Sequence, residues 1–314
     1  MLFYKNLLLA LILFLGMASC SETTSETQPQ TPNDTTQITI ATWNVHNLFD
    51  TECDSGACET TDYERQYAPD YYKKMIKNIA AGVRIFNSDI VMLQEIEKET
   101  SLEDLKAELP QYPYSVFGET GRLAGLDVGL LSKWPIVATK THREEHPFEL
   151  GDETKLIARE LIEATIALPT GENIVVFTTH FVSKVTDEDG NRRKNEARIV
   201  NEIIAAHEKE APNAHIAFGG DLNDEPDSEP LTLLKQNNVL YNSTEGMKHE
   251  DIATWNNTAA FDHIFHNAAL RAKHAKSYRV CSNNIGKLVP SDHCAMVAEY
   301  IFNKKEAAES TDKQ

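Results

Sequence analysis

Short apolar runs along this chain end in, or lead out of, polar residues of types that perform chemistry. Trp43-Asn44 lies in the first run, Gln94-Glu95 closes the second, and Thr178-Thr179-His180 closes a later one. Gly219-Gly220-Asp221-Leu222-Asn223-Asp224 comes next, then Asp262-His263, and Ser291-Asp292-His293 opens the last. Singly these signals are weak, since a Glu after a strand is usually a solvated end and Gly-Gly-Asp can be only a turn. Together, carboxylates, carboxamides and imidazoles at one kind of place make the inventory of metal-assisted phosphoester hydrolysis. Carboxylate and carboxamide oxygens suit a hard cation such as Mg2+, with Mn2+ or Ca2+ as substitutes. In-line attack needs a base for the water, a donor for the leaving oxygen and positive charge on the phosphoryl group. A His held by a carboxylate can be that base, because the carboxylate fixes its tautomer and stabilises the imidazolium.

Something must hold these groups in register. Apolar or β-branched runs predict strands over 38–45, 89–95, 127–132, 156–168, 173–180, 215–221, 261–265 and 293–301. Tyr72, Met75, Ile76, Ile79, Val83 and Phe86 recur at helical spacing, as do Ala197, Val200, Ile204 and His207. Mixed strands and helices without a repeat or an internal Pro/Gly linker point to one α/β domain over 38–302. Two sheets packed face to face with helices outside is the expected arrangement.

The 314 residues are 41% hydrophobic and 25% charged, which excludes collagen-like, low-complexity and wholly disordered chains. A net charge of −18 argues against a binder that grips nucleic acid by charge alone. Residues 1–19 read as a signal peptide: Lys5, an apolar run over 7–15 too short to span a bilayer, then small residues before Cys20. Met17-Ala18-Ser19-Cys20 resembles a bacterial lipobox, which would make Cys20 the lipidated first residue of an envelope lipoprotein, in the outer membrane or at the cell surface. Residues 20–37 then read as a flexible tether and 303–314 as a polar tail. Cys53, Cys58, Cys281 and Cys294 form an even set in an exported chain, so disulfides Cys53–Cys58 and Cys281–Cys294 are expected, with zinc as the alternative. Asp50, Glu52, Asp54, Glu59, Asp62 and Glu64 form either a solvated acidic loop or a calcium site. Lys184, Arg192, Arg193 and Lys194 form either a solvated helix start or a phosphate contact.

The ordered set WN, QE, TH, GGDLN, FDHI and SDH, running from Ile38 to Ile301, resembles the endonuclease/exonuclease/phosphatase superfamily. That superfamily includes pancreatic deoxyribonuclease, the abasic-site endonucleases, neutral sphingomyelinases and inositol-polyphosphate phosphatases. The resemblance implies a four-layer α/β sandwich of two mixed β-sheets flanked by helices, with the site at their shared edge. It implies Glu95 as principal metal ligand, Asn44 beside it, and Asp292 on the same or a second ion. It implies His293 as general base oriented by Asp262, with Asp221 and Asn223 positioning water and phosphate oxygen. His180 matches a second histidine that acts as acid or phosphate ligand, and Arg159 a phosphate-contacting arginine. Abasic-site endonucleases typically carry Tyr at the His180 position and Asp at that of His46, so this chain departs from them.

Asn44-Val45-His46-Asn47-Leu48-Phe49-Asp50 is similar to the NVENLFD segment of a bacterial secreted nuclease group, with His46 in place of Glu. Leu126-Asp127-Val128-Gly129-Leu130-Leu131 is similar to that group's IDVAL strand. His180-Phe181-Val182-Ser183-Lys184 is similar to its HxKSK segment, with Val182 in place of Lys and Lys184 toward phosphate. The expected function is thus an exported divalent-metal-dependent phosphodiesterase acting on a nucleic acid, with no obligate protein partner. A sphingomyelinase-like or inositol-phosphate hydrolase is the alternative within the fold, and an inactive surface-binding module the alternative outside it.

Overall fold

The computed structural model describes residues 35–59, 62–282 and 288–303. The expected signal peptide, Cys20 and most of the expected tether and tail lie outside the described residues. The chain runs β1 (Thr35–Leu48), α1 (Pro69–Phe86), β2 (Ile90–Ile96), α2 (Glu99–Ala107), β3 (Tyr114–Gly118), β4 (Asp127–Ser132) and β5 (Ile136–Thr141). It continues through β6 (Phe148–Leu150), β7 (Glu153–Lys155), β8 (Ile162–Ala167), β9 (Asn173–Thr178), α3 (Asn191–Glu210) and β10 (His215–Asp221). The last elements are α4 (Glu229–Leu234), β11 (Tyr241–Asn242), α5 (His249–Ile252), β12 (Asp262–His266), α6 (Ala268–Arg271), β13 (His274–Val280) and β14 (Ala295–Asn303).

Two six-stranded mixed sheets form, ordered β13-β14-β1-β2-β4-β3 and β11-β12-β10-β9-β8-β5. Alternating side chains of the inner faces interlock between them, among them Ile40, Met92, Leu130, Ile166, Val176, Ala217, Ile264 and Tyr300. The opposite face of the first sheet buries Trp43, Val91 and Leu93 under α1, whose Met75, Ile76, Ile79, Val83 and Phe86 form the expected apolar stripe. The second sheet buries Phe177 and Phe218 under Ala197, Val200 and Ile204 of α3. Helix, sheet, sheet and helix thus make the four-layer α/β sandwich.

Topology gathers the polar ends. β1 pairs in parallel with β2, and β9 with β10. β14 runs antiparallel to β1, and β12 antiparallel to β10 with Asp262 opposite Asp221. An antiparallel strand starts where its neighbour ends, so Asp262 and His293 arrive at the edge where Asn44, Glu95, His180 and Asp221 emerge.

Two sequence expectations need correction. Strand pairing begins at Thr35 opposite Asn303, so the expected tether's last residues and the tail's first belong to the sheet. The strand expected over 156–168 is confined to Ile162–Ala167, because 156–161 is a loop fastened by carboxylates. Glu160 Oε1 accepts the backbone N–H groups of His142, Arg143 and Leu161, and Glu196 Oε1 that of Ala158. The cysteines are bonded as expected, Cys53–Cys58 and Cys281–Cys294, in place of the zinc alternative. In the acidic loop the Lys98 ammonium lies 3.0, 3.1 and 2.7 Å from Asp50, Glu52 and Asp54.

Candidate active site

A cavity of about 850 Å³ opens at the shared sheet edge. Its lining includes Glu95, His180, Asp221, Asn223, Asp292 and His293. Two left-handed residues, His46 (φ 63°) and Asn47 (φ 57°), turn the end of β1 back over this floor. Their backbone N–H groups are held by the Asn44 amide oxygen at 2.9 Å and by Glu95 Oε2 at 2.7 Å. Asn44 is buried, and its Nδ2 donates to both Glu95 Oε1 and Asp221 Oδ2 at 2.9 Å. It therefore spaces two carboxylates, with its own oxygen already engaged.

His293 Nδ1 lies 2.6 Å from Asp262 Oδ2, deep beneath the floor. Its Nε2 faces the cavity, 3.8 Å from Asp221 Oδ2 and 3.9 Å from Asp292 Oδ1. Burial alone would lower the pKa of His293, but the charge and hydrogen bond of Asp262, with Asp221 and Asp292 behind, raise it. A cation among the same carboxylates would offset part of their field at the imidazole. Ser291 fixes the turn, accepting His293 N–H at 2.8 Å and donating to Asn44 O at 2.6 Å.

Burial and the neighbouring Asp262 raise Asp221, against His293 and its hydrogen bonds from Asn44 and Asn223 N–H. His180 is driven the other way: burial, with Arg159 and His293 adding to it, holds its pKa well below the ordinary value. Its Nε2 is 3.0 Å from Asn223 Nδ2 and 3.5 Å from Asp221, so a neutral imidazole accepts from the amide. Burial also pushes Asp292 up, yet the hydrogen bond from His46 at 2.9 Å and the charges of His293 and His46 hold it below the usual carboxylate range. Trp255 Nε1 donates to its other oxygen at 2.9 Å.

Glu95, Asp221 and Asp292 thus put carboxylate oxygens on one floor, while Asp262 Oδ1 and His180 Nδ1 are buried without partners. An oxygen-rich, anionic donor set of this kind fits a hard divalent cation. The wall above it is cationic. Arg122, Arg159, Lys184 and Arg192 all line the cavity. Lys184 is paired with Asp224 at 2.8 Å and Arg192 with Glu196 at 3.4 Å, whereas Arg159 donates to the Leu126 and Ala158 carbonyls. Burial and the charges of Arg159, Arg143 and Arg192 lower the pKa of Arg122. Of the basic helix start, Arg193 and Lys194 are instead committed to Asp187, Asp224 and Glu229.

Sequence reasoning missed His46 as a holder of Asp292, and missed Arg122, Tyr63, Trp255 and Phe261 in the lining. Tyr63 is 62% exposed at the rim, and Trp255 stacks on Phe261 with ring centroids 5.7 Å apart. Arg122, Tyr63 and Trp255 lie in loops, and Phe261 just precedes β12 with no polar group of its own to mark it.

Fold and site together define a phosphoester hydrolase. The model of the endonuclease/exonuclease/phosphatase family matches residues 39–293, and the chain belongs to that family. Truncated Caenorhabditis elegans TDP2 is similar in structure, at TM-score 0.61 and 18% identity over 85% of this chain and 98% of that one. D. rerio TDP2 complexed with single strand DNA product is similar at TM-score 0.59 and 18% identity, over 85% and 99%. An endonuclease/exonuclease/phosphatase family protein from Bacteroides thetaiotaomicron is similar at TM-score 0.59 and 20% identity, over 87% and 100%. No curated protein matches the sequence.

Proposed function

We propose that this protein is an exported, Mg2+-dependent phosphodiesterase that hydrolyses nucleic acid. The observation that carries the reading is a carboxylate and imidazole floor beneath a wall of arginines, rimmed by aromatic rings. A phosphodiester fits that polarity: its anionic oxygens meet Arg122 and Arg159, and a base can stack on Tyr63 or the Trp255–Phe261 pair. The DNA product in the D. rerio TDP2 structure, on the same fold, supports a nucleic acid. A divalent ion held by Glu95 and Asp292 would supply positive charge to the phosphoryl oxygens. His293 Nε2 takes the proton of the attacking water, while Asp262 fixes the tautomer and steadies the imidazolium that forms. Asn223 and Asp221 orient water and phosphate, and His180 hydrogen-bonds a phosphoryl oxygen or the leaving group. Lys184 stands at the mouth, paired with Asp224.

Export is supported by the leader-like residues 1–19 and by two disulfides of the kind found in oxidising compartments. Cys20 is the proposed lipid anchor; incorporation of labelled palmitate that persists in Cys20→Ser would remove it.

The deciding assay follows supercoiled plasmid, single-stranded RNA, sphingomyelin and an inositol phosphate side by side with Mg2+, Mn2+ or Ca2+. Nucleic acid cleavage is expected, abolished by EDTA and reduced about 10²- to 10⁴-fold in His293→Ala. Turnover of only the lipid or the inositol phosphate would overturn the nucleic acid reading. Silence on all four with folded protein would overturn catalysis itself.

A further inference from the structure

A second cluster of metal-binding side chains lies away from this floor. His142 follows β5, the edge strand of the second sheet, and a single 3-10 turn (Arg143–Glu145) carries the chain to His146. One ring nitrogen from each of His142 and His146 and a carboxylate oxygen of Glu145 lie within 4.8 Å of one another. None of the three lines the large cavity. The His142 ring packs 6.1 Å from that of Phe177, on the face covered by α3 and not between the sheets.

The independent observation is His142 itself, only 4% exposed. Its Nε2 is 2.8 Å from Glu163 Oε2, while its Nδ1 is buried and has no hydrogen-bond partner. A neutral imidazole that gives one N–H to a carboxylate presents a bare lone pair on its other nitrogen. That is the arrangement of a metal-ligating histidine, in which an outer carboxylate sets the tautomer and raises ligand basicity. Glu163 is itself steadied, with His207 Nδ1 3.2 Å from its other oxygen. A buried polar atom left without a partner is destabilising, and a bound ion would recover that loss.

We propose that His142, Glu145 and His146 form a second metal site that takes a zinc-class divalent ion, with Glu163 as the positioning carboxylate. Two imidazoles and one carboxylate leave a fourth tetrahedral position for water, the ligand type and number that Zn2+ accepts. Lys140, now 3.1 Å from Glu145, is displaced when the ion binds. The role is structural. The same turn gives its backbone N–H groups to Glu160, and Arg143 Nε donates to Ile157 O, so the ion would brace the 156–161 loop that carries Arg159.

The test strips the full chain with EDTA, restores excess Mg2+, and titrates Zn2+ while reading bound zinc by equilibrium dialysis and Tm by calorimetry. Wild type is expected to bind one more Zn2+ than His146→Ala and to show a Zn2+-dependent rise in Tm that His146→Ala lacks. Glu95→Gln, altered at the catalytic floor, is expected to retain both. Co2+ in place of Zn2+ should give wild type the visible absorption of a four-coordinate ion, absent from His146→Ala. Half-buried His146 is chosen because His142→Ala would also break the buried Glu163 bond and could fail to fold. Equal stoichiometry and equal Tm shift in wild type and His146→Ala overturn the site, as does extra zinc lost only in Glu95→Gln.

Discussion

Acidic side chains do two unlike jobs in this molecule, and residue type alone does not separate them. Glu95, Asp221 and Asp292 face the cavity, whereas Glu160, Glu196 and Asp224 are buried as fasteners for loops. Asp224 accepts from Arg193 Nε at 3.0 Å and from Lys184 at 2.8 Å, tying the turn after β10 to α3 and to the cavity mouth. Burial would raise its pKa, but Lys184, Arg193 and the Glu225 N–H outweigh that and lower it. The sign follows directly. A carboxyl whose folded pKa lies below its unfolded value adds stability that is present above about pH 4 and is lost as pH falls through the folded value. Asp224→Asn should therefore cost about 2 kcal/mol near pH 7, since it removes one of the two carboxylates that hold buried Arg193 and leaves Asp187 as its partner. The difference from wild type should shrink as urea titrations are repeated below pH 4. A gap that is constant with pH would show that the side chain acts through packing.

At the scale of elements, β10 shows how tightly the site is built. A Cβ on Gly220 would sit 1.9 Å from the Thr179 carbonyl oxygen, backbone that no rotamer change can move. The two strand ends touch there so that Phe181 N–H can reach Asp221 O at 3.0 Å, which sets His180 beside Asp221. Gly220→Ala should destabilise by about 3 kcal/mol or more and remove activity in any folded fraction, measured by calorimetry and phosphodiester turnover. Wild-type stability in that variant would refute the close approach. The central strands and α1 were legible because burial on both faces leaves apolar runs, and an amphipathic helix leaves a stripe. β3, β5 and β13 were not: five of the six residues of β5 are exposed, so hydropathy marks no edge strand. Asn44, Glu95, His180, Asp221, Asp262 and His293 were legible as polar ends of such runs, and all converge. His46 and Trp255 reach Asp292 only through left-handed turns and tertiary contacts, which a pattern along the chain does not encode.

For the molecule as a whole, a charge of −18 has to coexist with a polyanionic substrate. The solution is local: Arg122, Arg159, Lys184 and Arg192 gather at the cavity wall, where low-dielectric surroundings strengthen their field at short range. Half of that charge is already spent on the protein, because Lys184 and Arg192 are ion-paired. Arg122 and Arg159 remain to displace counterions from a bound strand. Each such contact contributes about −0.7 to the slope of log affinity against log salt for single strands. Two contacts give about −1.4, far shallower than a nuclease with a basic groove would show. Anisotropy of a labelled single-stranded oligonucleotide on His293→Ala, from low to high salt, measures this slope, and adding Arg159→Ala should make it shallower by about 0.7. A steep slope unaffected by Arg159→Ala would place the contacts on the outer surface instead. The strand would then be gripped away from the cavity, and the acidic exterior could no longer be what keeps binding weak and confined to the point of cleavage.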